Sequence, residues 1–270
     1  MDLLKRELAP ILPEAWALID AEAARVLRLN LAGRKLVDFQ GPLGWRAGAV
    51  NTGRLHLMPE HPVEGVSAGL RVVQPLVEIR TPIYLDTLEL DIVARGADDP
   101  DLSHVVQAAE RAARVEDHAI FHGYPEASIA GILPSSPHTA ITVDGPSDWP
   151  SAVVRAKETL RAAGIGGPYA LATGAAAYDE LSAATEDGYP IRKRIERQII
   201  EGPFVWAPAL KGAVLLSVRG GDFELTVGQD LAIGFAHYER SRIELYLTES
   251  FTFRVLTPEA AVHLQPGSRK

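Results

Sequence analysis

His118 and His122 stand four residues apart in a stretch with helical periodicity, so their rings share one helix face and could hold a metal ion. Zinc-protease chemistry on such a pair needs a glutamate directly after the first histidine as general base, and Ala119 stands there instead. Histidines in a last helical turn also complement the helix dipole, and the pair reads as such a helix end. Asp98, Asp99 and Asp101 have the chemistry of calcium ligands. They lack the twelve-residue loop and its terminal glutamate, and acids before a helix cap its free N–H groups. Gly164-Ile165-Gly166-Gly167 has the texture of a phosphate loop, but it follows a helix and precedes a strand, the reverse of the order a dinucleotide site needs. It reads as a helix stop and a tight turn. Arg192, Lys193, Arg194 and Arg197 make a basic helix with no interleaved aromatic residues for base stacking, and with Glu196 and Glu201 nearby. It reads as a solvated or interface face. No Gly-x-Ser-x-Gly nucleophile elbow occurs. No catalytic residue, resident metal or cofactor is expected.

The elements that carry these residues belong to a chain of 270 residues, long enough for one large or two small domains and a substantial core. Hydrophobic residues make up 47% and charged residues 23%, an ordinary globular balance. The net charge of −8 argues against binding nucleic acid through its phosphates. The absence of cysteine excludes disulfides and thiolate metal sites. The first residues show no long apolar run of a secretory signal, and no stretch approaches the ~18 apolar residues of a spanning helix. A cytoplasmic protein without membrane contact is expected.

Trp16, Ile19, Ala23, Val26, Leu27 and Leu31 fall at helical spacing and predict a helix over Glu14–Ala32, with Pro13 at its start and Gly33 as its stop. Trp45–Pro82 reads as extended chain: a long projecting hairpin whose second arm, Leu70–Ile83, holds Pro75 and Pro82 and so suits a sheet edge. Its tip is Met58–Gly65. An isolated hairpin is marginal in water, so contact with another subunit is expected to support it. A helix opens at Asp98–Asp101 and runs to His122, with Gly123 as its stop. Ile132–Val218 is a mixed unit with helices over Trp149–Ala163, Ala175–Ala184 and Ile191–Ile200 and a buried strand Tyr169–Thr173. The tail is mostly strand: Lys211–Val218, Phe223–Val227, Leu231–Tyr238 and Ile243–Val255, then a helical turn or strand from Pro258.

Two segments at opposite ends carry no set of catalytic groups: LAGRKLVDFQGPLGW over Leu31–Trp45, and RGGDFELTVGQDLAIG over Arg219–Gly234. Both resemble the shell proteins of encapsulins (linocin-type, family 1), as do PLVEIR at Pro75–Arg80, LDTLELD at Leu85–Asp91, EDHAIFHG at Glu116–Gly123 and TESFTF at Thr248–Phe253. The resemblance covers most of the chain and is weakest over Ile132–Trp206. It implies an α+β fold shared with tailed-phage major capsid proteins. The implied layout is a discontinuous peripheral domain (1–44, 84–131 and 221–270), an extended loop (45–83) and an axial domain (132–220). The N-terminal helix favours an encapsulin over a phage or prophage capsid protein; a hydrolase or bacteriocin-like activity is the alternative of another class. The implied partners are the chain itself, in an icosahedral shell of about sixty copies, and a cargo enzyme such as a ferritin-like protein or a dye-decolorising peroxidase. Iron storage or oxidative-stress protection is the implied purpose. By the same resemblance a cargo peptide docks on Leu27, Leu31, Arg34 and Asp38, facing Asp230, Leu231 and Ile233. Arg34 and Asp38 could instead pair with each other, and Leu31 and Ile233 could be core. The loop Thr185, Glu186, Asp187, Gly188, Tyr189 to Pro190 would ring a five-fold pore, with Glu186 and Asp187 favouring small cations.

Overall fold

The N-terminal stripe folds as α1 (Pro13–Asn30), with Pro13 at its first position, where a missing N–H costs nothing. Trp16, Ile19, Ala23, Val26 and Leu27 are buried along one face. The computed structural model describes residues 3–60, 63–186 and 188–267. Gly33 does not stop α1. The helix ends at Asn30, and Gly33 opens a short 3₁₀ turn to Lys35. A Cβ on Gly33 would lie 2.4 Å from Ile120 Cδ1, so this glycine permits a close approach.

After β1 (Asp38–Gln40) the chain leaves the body as an antiparallel hairpin of β2 (Ala49–Leu57) and β3 (Gly69–Pro75). Of its tip, His61 and Pro62 lie outside the described residues. The second arm divides at Leu76. Its later part is β4 (Val77–Asp86), which pairs with a long strand of the main sheet and sets Pro82 opposite Tyr246. Among the described residues β4 pairs on one side only, the edge position in which proline is tolerated. The following α2 (Thr87–Ala94) is not foreseen by the pattern, because eight residues hold too few repeats for a period to register. Asp86 caps it through Leu88 N–H at 2.9 Å.

The central helix α3 (Ser103–Phe121) starts later than the acids at 98–101 suggest. Asp101 still acts as expected, accepting from Ser103 N–H at 2.9 Å. Ala108, Ala109, Ala112 and Ala113 are buried, and their small side chains bring α3 close to α1 and the sheet. Gly123, with φ at +87°, turns the chain away at its end.

The mixed unit follows as α4 (Ile132–Ser135), β5 (Ile141–Val143), α5 (Trp149–Ala162), β6 (Tyr169–Thr173), α6 (Ala175–Ala183), β7 (Thr185–Glu186), β8 (Tyr189–Pro190), α7 (Ile191–Arg194), β9 (Phe204–Trp206) and β10 (Ala213–Ser217). The basic helix is shorter than expected, because Ile195–Ile199 widens into a π turn. Gly164, with φ at +78°, ends the α5 region as a stop and not as a phosphate loop. The chain then builds β11 (Phe223–Val227), β12 (Ala232–Glu239), β13 (Arg242–Val255) and β14 (Ala261–Pro266). The Pro258 segment is both a helical turn and, after it, a strand.

Two five-stranded sheets organise the fold. One runs β1-β11-β13-β12, with β4 on β13; the other runs β5-β14-β10-β6-β9. One core lies between α1, α3 and the first sheet, around Ile19, Ile83, Val105 and Leu245. The other surrounds the second sheet and α5, around Trp149, Leu160, Leu171 and Leu215. Each such aliphatic side chain contributes about 1.5–3 kcal/mol on burial.

Candidate functional site

Arg34 sits on the 3₁₀ turn after α1, where four parts of the chain meet. Its Nε donates to both Glu116 oxygens, at 3.0 and 2.9 Å, and its Nη2 donates to Glu116 Oε2 at 2.7 Å. Nη2 also donates to Glu249 Oε1 at 2.5 Å, and Nη1 donates to Asp230 Oδ1 at 2.9 Å. The Glu116 and Glu249 side chains are 0% exposed and Arg34 is 18% exposed. Burial works against the guanidinium charge, yet Glu116, Glu249 and Asp230 hold its pKa above the ordinary arginine value. Burial pushes Glu249 well above the carboxylate range, reinforced by the Glu116 charge. The next residue on α3, Asp117, accepts from Ala32 N–H at 3.0 Å and Gly33 N–H at 2.8 Å. Burial raises it to about 7, against those two donors.

Beside this cluster an open pocket of about 420 Å³ is lined by Leu27, Leu31, Arg34, Asp230 and Leu231, with Arg28 and Lys35 at its rim. Five of the seven residues assigned to a cargo groove thus come together. Asp38 does not join them. It accepts from Gly221 N–H at 2.6 Å and lines a separate pocket of about 140 Å³ with Gly220 and Phe223. The alternative Arg34–Asp38 pair does not form, because Arg34 is engaged by three other carboxylates. Ile233 is buried in the core behind the groove, and Leu31 is buried while still lining it. Sequence reasoning missed Glu116, Asp117 and Glu249. Their signal was a carboxylate inside an otherwise core-facing run, in EDHAIFHG and TESFTF.

Thr185, Glu186, Gly188 and Tyr189 form the small hairpin β7–β8, with Glu186 opposite Tyr189. Asp187 lies outside the described residues. Glu186 is not a free acid: its Oε2 accepts from Arg194 Nη1. Arg192 is likewise held, donating to Glu196 at 2.8 Å and to the Tyr178 hydroxyl at 2.6 Å. His118 and His122 stack with ring centres 4.9 Å apart, and His122 Nε2 lies 2.9 Å from Ala209 O. Among the described residues no three His, Asp or Glu side chains gather as metal ligands. Burial, then His122, lowers the His118 pKa.

The family model described as "Encapsulating protein for peroxidase" matches residues 1–252. The chain belongs to the encapsulin shell protein family. It is 46% identical to the type 1 encapsulin shell protein of Rhodospirillum rubrum, over 98% of this chain and 97% of that protein. It is 44% identical to the Brevibacterium linens encapsulin shell protein, over 98% and 99% of the two chains. In fold it resembles a virus-like particle from Pyrococcus furiosus, with a TM-score of 0.64, 14% identity and coverage of 92% of this chain and 98% of that one. The α+β capsid-like architecture of an encapsulin is therefore the fold of this chain. No described helix is long and apolar enough to cross a membrane.

Proposed function

We propose that the chain assembles with copies of itself into a closed icosahedral compartment of about sixty subunits and captures a cargo enzyme by a short peptide. The observation that carries capture is the groove itself: Leu27, Leu31 and Leu231 form apolar walls around a charged edge of Arg34 and Asp230. An extended peptide needs such pockets for its side chains and polar edges for its backbone. Assembly is supported by the β2–β3 hairpin, where Leu55, Leu57 and Leu70 are 60%, 71% and 65% exposed. A soluble subunit rarely leaves so much apolar surface in one element uncovered.

The peripheral domain, extended loop and axial domain fall at 1–44 with 84–131 and 221–270, at 45–83 and at 132–220. The family description favours a peroxidase as cargo, with protection against oxidative stress as the purpose and a ferritin-like iron oxidase as the other choice. The compartment is cytoplasmic. The β7–β8 hairpin rings the five-fold pore, where Glu186 is held by Arg194. Negative-stain microscopy after size exclusion, with candidate cargo co-expressed, tests both parts. Uniform hollow spheres with co-eluting cargo are expected from the native chain. Leu231→Asp, on the half-exposed wall of the groove, is expected to give empty spheres. A small oligomer stable at high concentration would overturn the assembly reading, and cargo retained by Leu231→Asp would overturn the groove.

A further inference from the structure

We propose that Glu249 holds a proton directed at Glu116, and that Arg34, Glu116 and Glu249 form a proton-dependent latch fixing the end of α1 to the shell body. Three carboxylates share one guanidinium, and two of them have no exposure. With all three ionised the cluster would carry two uncompensated negative charges, which the fully buried Glu116 and Glu249 tolerate poorly. Glu249 Oε2 is buried and accepts no hydrogen bond, while Glu116 and Glu249 converge on one guanidinium nitrogen, Arg34 Nη2, at 2.7 and 2.5 Å. A proton on Glu249 turns that clash into a hydrogen bond. Glu116 is the worse holder, because both its oxygens already accept from the guanidinium, whereas Glu249 accepts once.

Besides Arg34, the cation on this turn is Lys35, which acts on Asp117. From α3 the cluster is faced by Glu116 and Asp117, from the turn after α1 by Arg34 and Lys35, and from the β11–β12 loop by Asp230. From β4 it is faced by Ile79, which lies opposite Glu249 in register and has no charge. From β1 it is faced by the ring of Phe39, 5.2 Å from the guanidinium. The end of α1 reaches the body through two polar links, Arg34 itself and the Ala32 and Gly33 N–H groups on Asp117. Loss of the Glu249 proton puts like charges side by side at the first link. An acid held protonated in the fold adds stability at low pH and loses it as pH rises through its folded pKa. The latch therefore opens as pH rises. Its consequence for peptide capture rests on the groove reading above; the latch itself does not.

The test uses assembled shells of the full chain. Infrared difference spectra of native shells and Glu249→Gln shells, at neutral pH, should show a protonated-carboxyl C=O band in the native chain that the variant lacks. Its absence from the native spectrum would overturn the proposal. Hydrogen exchange at the Ala32 and Gly33 amides, without any peptide, should then rise in native shells, as pH is raised until the C=O band is lost, by roughly tenfold beyond ordinary base catalysis. Glu249→Gln, which keeps the hydrogen bond and cannot ionise, should remove that excess; an equal excess in both would also overturn the latch. Should Glu249→Gln fail to assemble, Asp230→Asn on the exposed rim serves instead. Removing its charge should move the loss of the C=O band to lower pH, and an unmoved band would count against the cluster. Peptide binding is measured separately, so a groove that binds nothing leaves the exchange result standing.

Discussion

The α1 groove and the β2–β3 hairpin are both leucine-rich, and they treat their leucines in opposite ways. Leu27 on α1 and Leu31 just after it are buried in the core they share with α3 and β12, and the charged turn that follows is tied down by Arg34 and Asp117. Leu55, Leu57 and Leu70 on the hairpin face solvent, and the two strands pair only with each other among the described residues. The first region is specified within one chain; the second makes physical sense only against a second chain. Mutations should separate them: changes at Gly33 and Arg34, on the turn behind the groove, should act on the fold of the subunit, and hairpin changes on assembly.

The largest effect on subunit stability is expected from Arg34→Ala. It leaves the fully buried Glu116 without a counter-charge, and breaking one partner out of a buried pair costs about 3–5 kcal/mol. Chemical denaturation read by tryptophan fluorescence checks this, and a loss under ~1 kcal/mol would mean water reaches the cluster. Gly33→Ala comes next. Its Cβ must displace Ile120, 2.4 Å away, at about 1–3 kcal/mol. Asp117→Asn should change the pH dependence more than the size of stability. Asp117 is raised to about 7, so its favourable contribution is present at low pH and fades as pH rises through that value. Melting scans across that window should fall in the native chain and flatten in the variant. The hairpin change Leu55→Asp with Leu57→Asp should alter subunit stability by only about 0.5 kcal/mol, while size exclusion shows assembly lost. Glu186→Gln should be the smallest in stability, about 0–1 kcal/mol for an exposed pair. Cation entry into the shells is the readout there, and an unchanged rate would remove Glu186 from any role in the pore.

Much of the architecture was legible because it rests on repeating patterns. The α1 stripe follows from periodicity over several turns, and the buried strand at Tyr169–Thr173 and the four strands of the tail follow from apolar runs bounded by turn residues. The failures are local. α2 is too short to show a period, and β4 looked like hairpin because a strand's own alternation does not say which neighbour it pairs with. Gly33 looked like a helix stop because the sequence marks a glycine without marking what approaches it.

Sequence by itself determined the element types, the absence of disulfide chemistry and, through motif order, membership of a shell family, since each depends on residues near one another or on their order along the chain. Tertiary structure alone decided the partners of the charged residues. Arg34 could have met Asp38, four positions on, but instead meets Glu116, Asp230 and Glu249, between 82 and 215 positions away. The reason is physical: a buried ion must be compensated wherever the packed elements leave a carboxylate within reach, and that proximity is set by helix and sheet packing, which spacing along the chain does not encode.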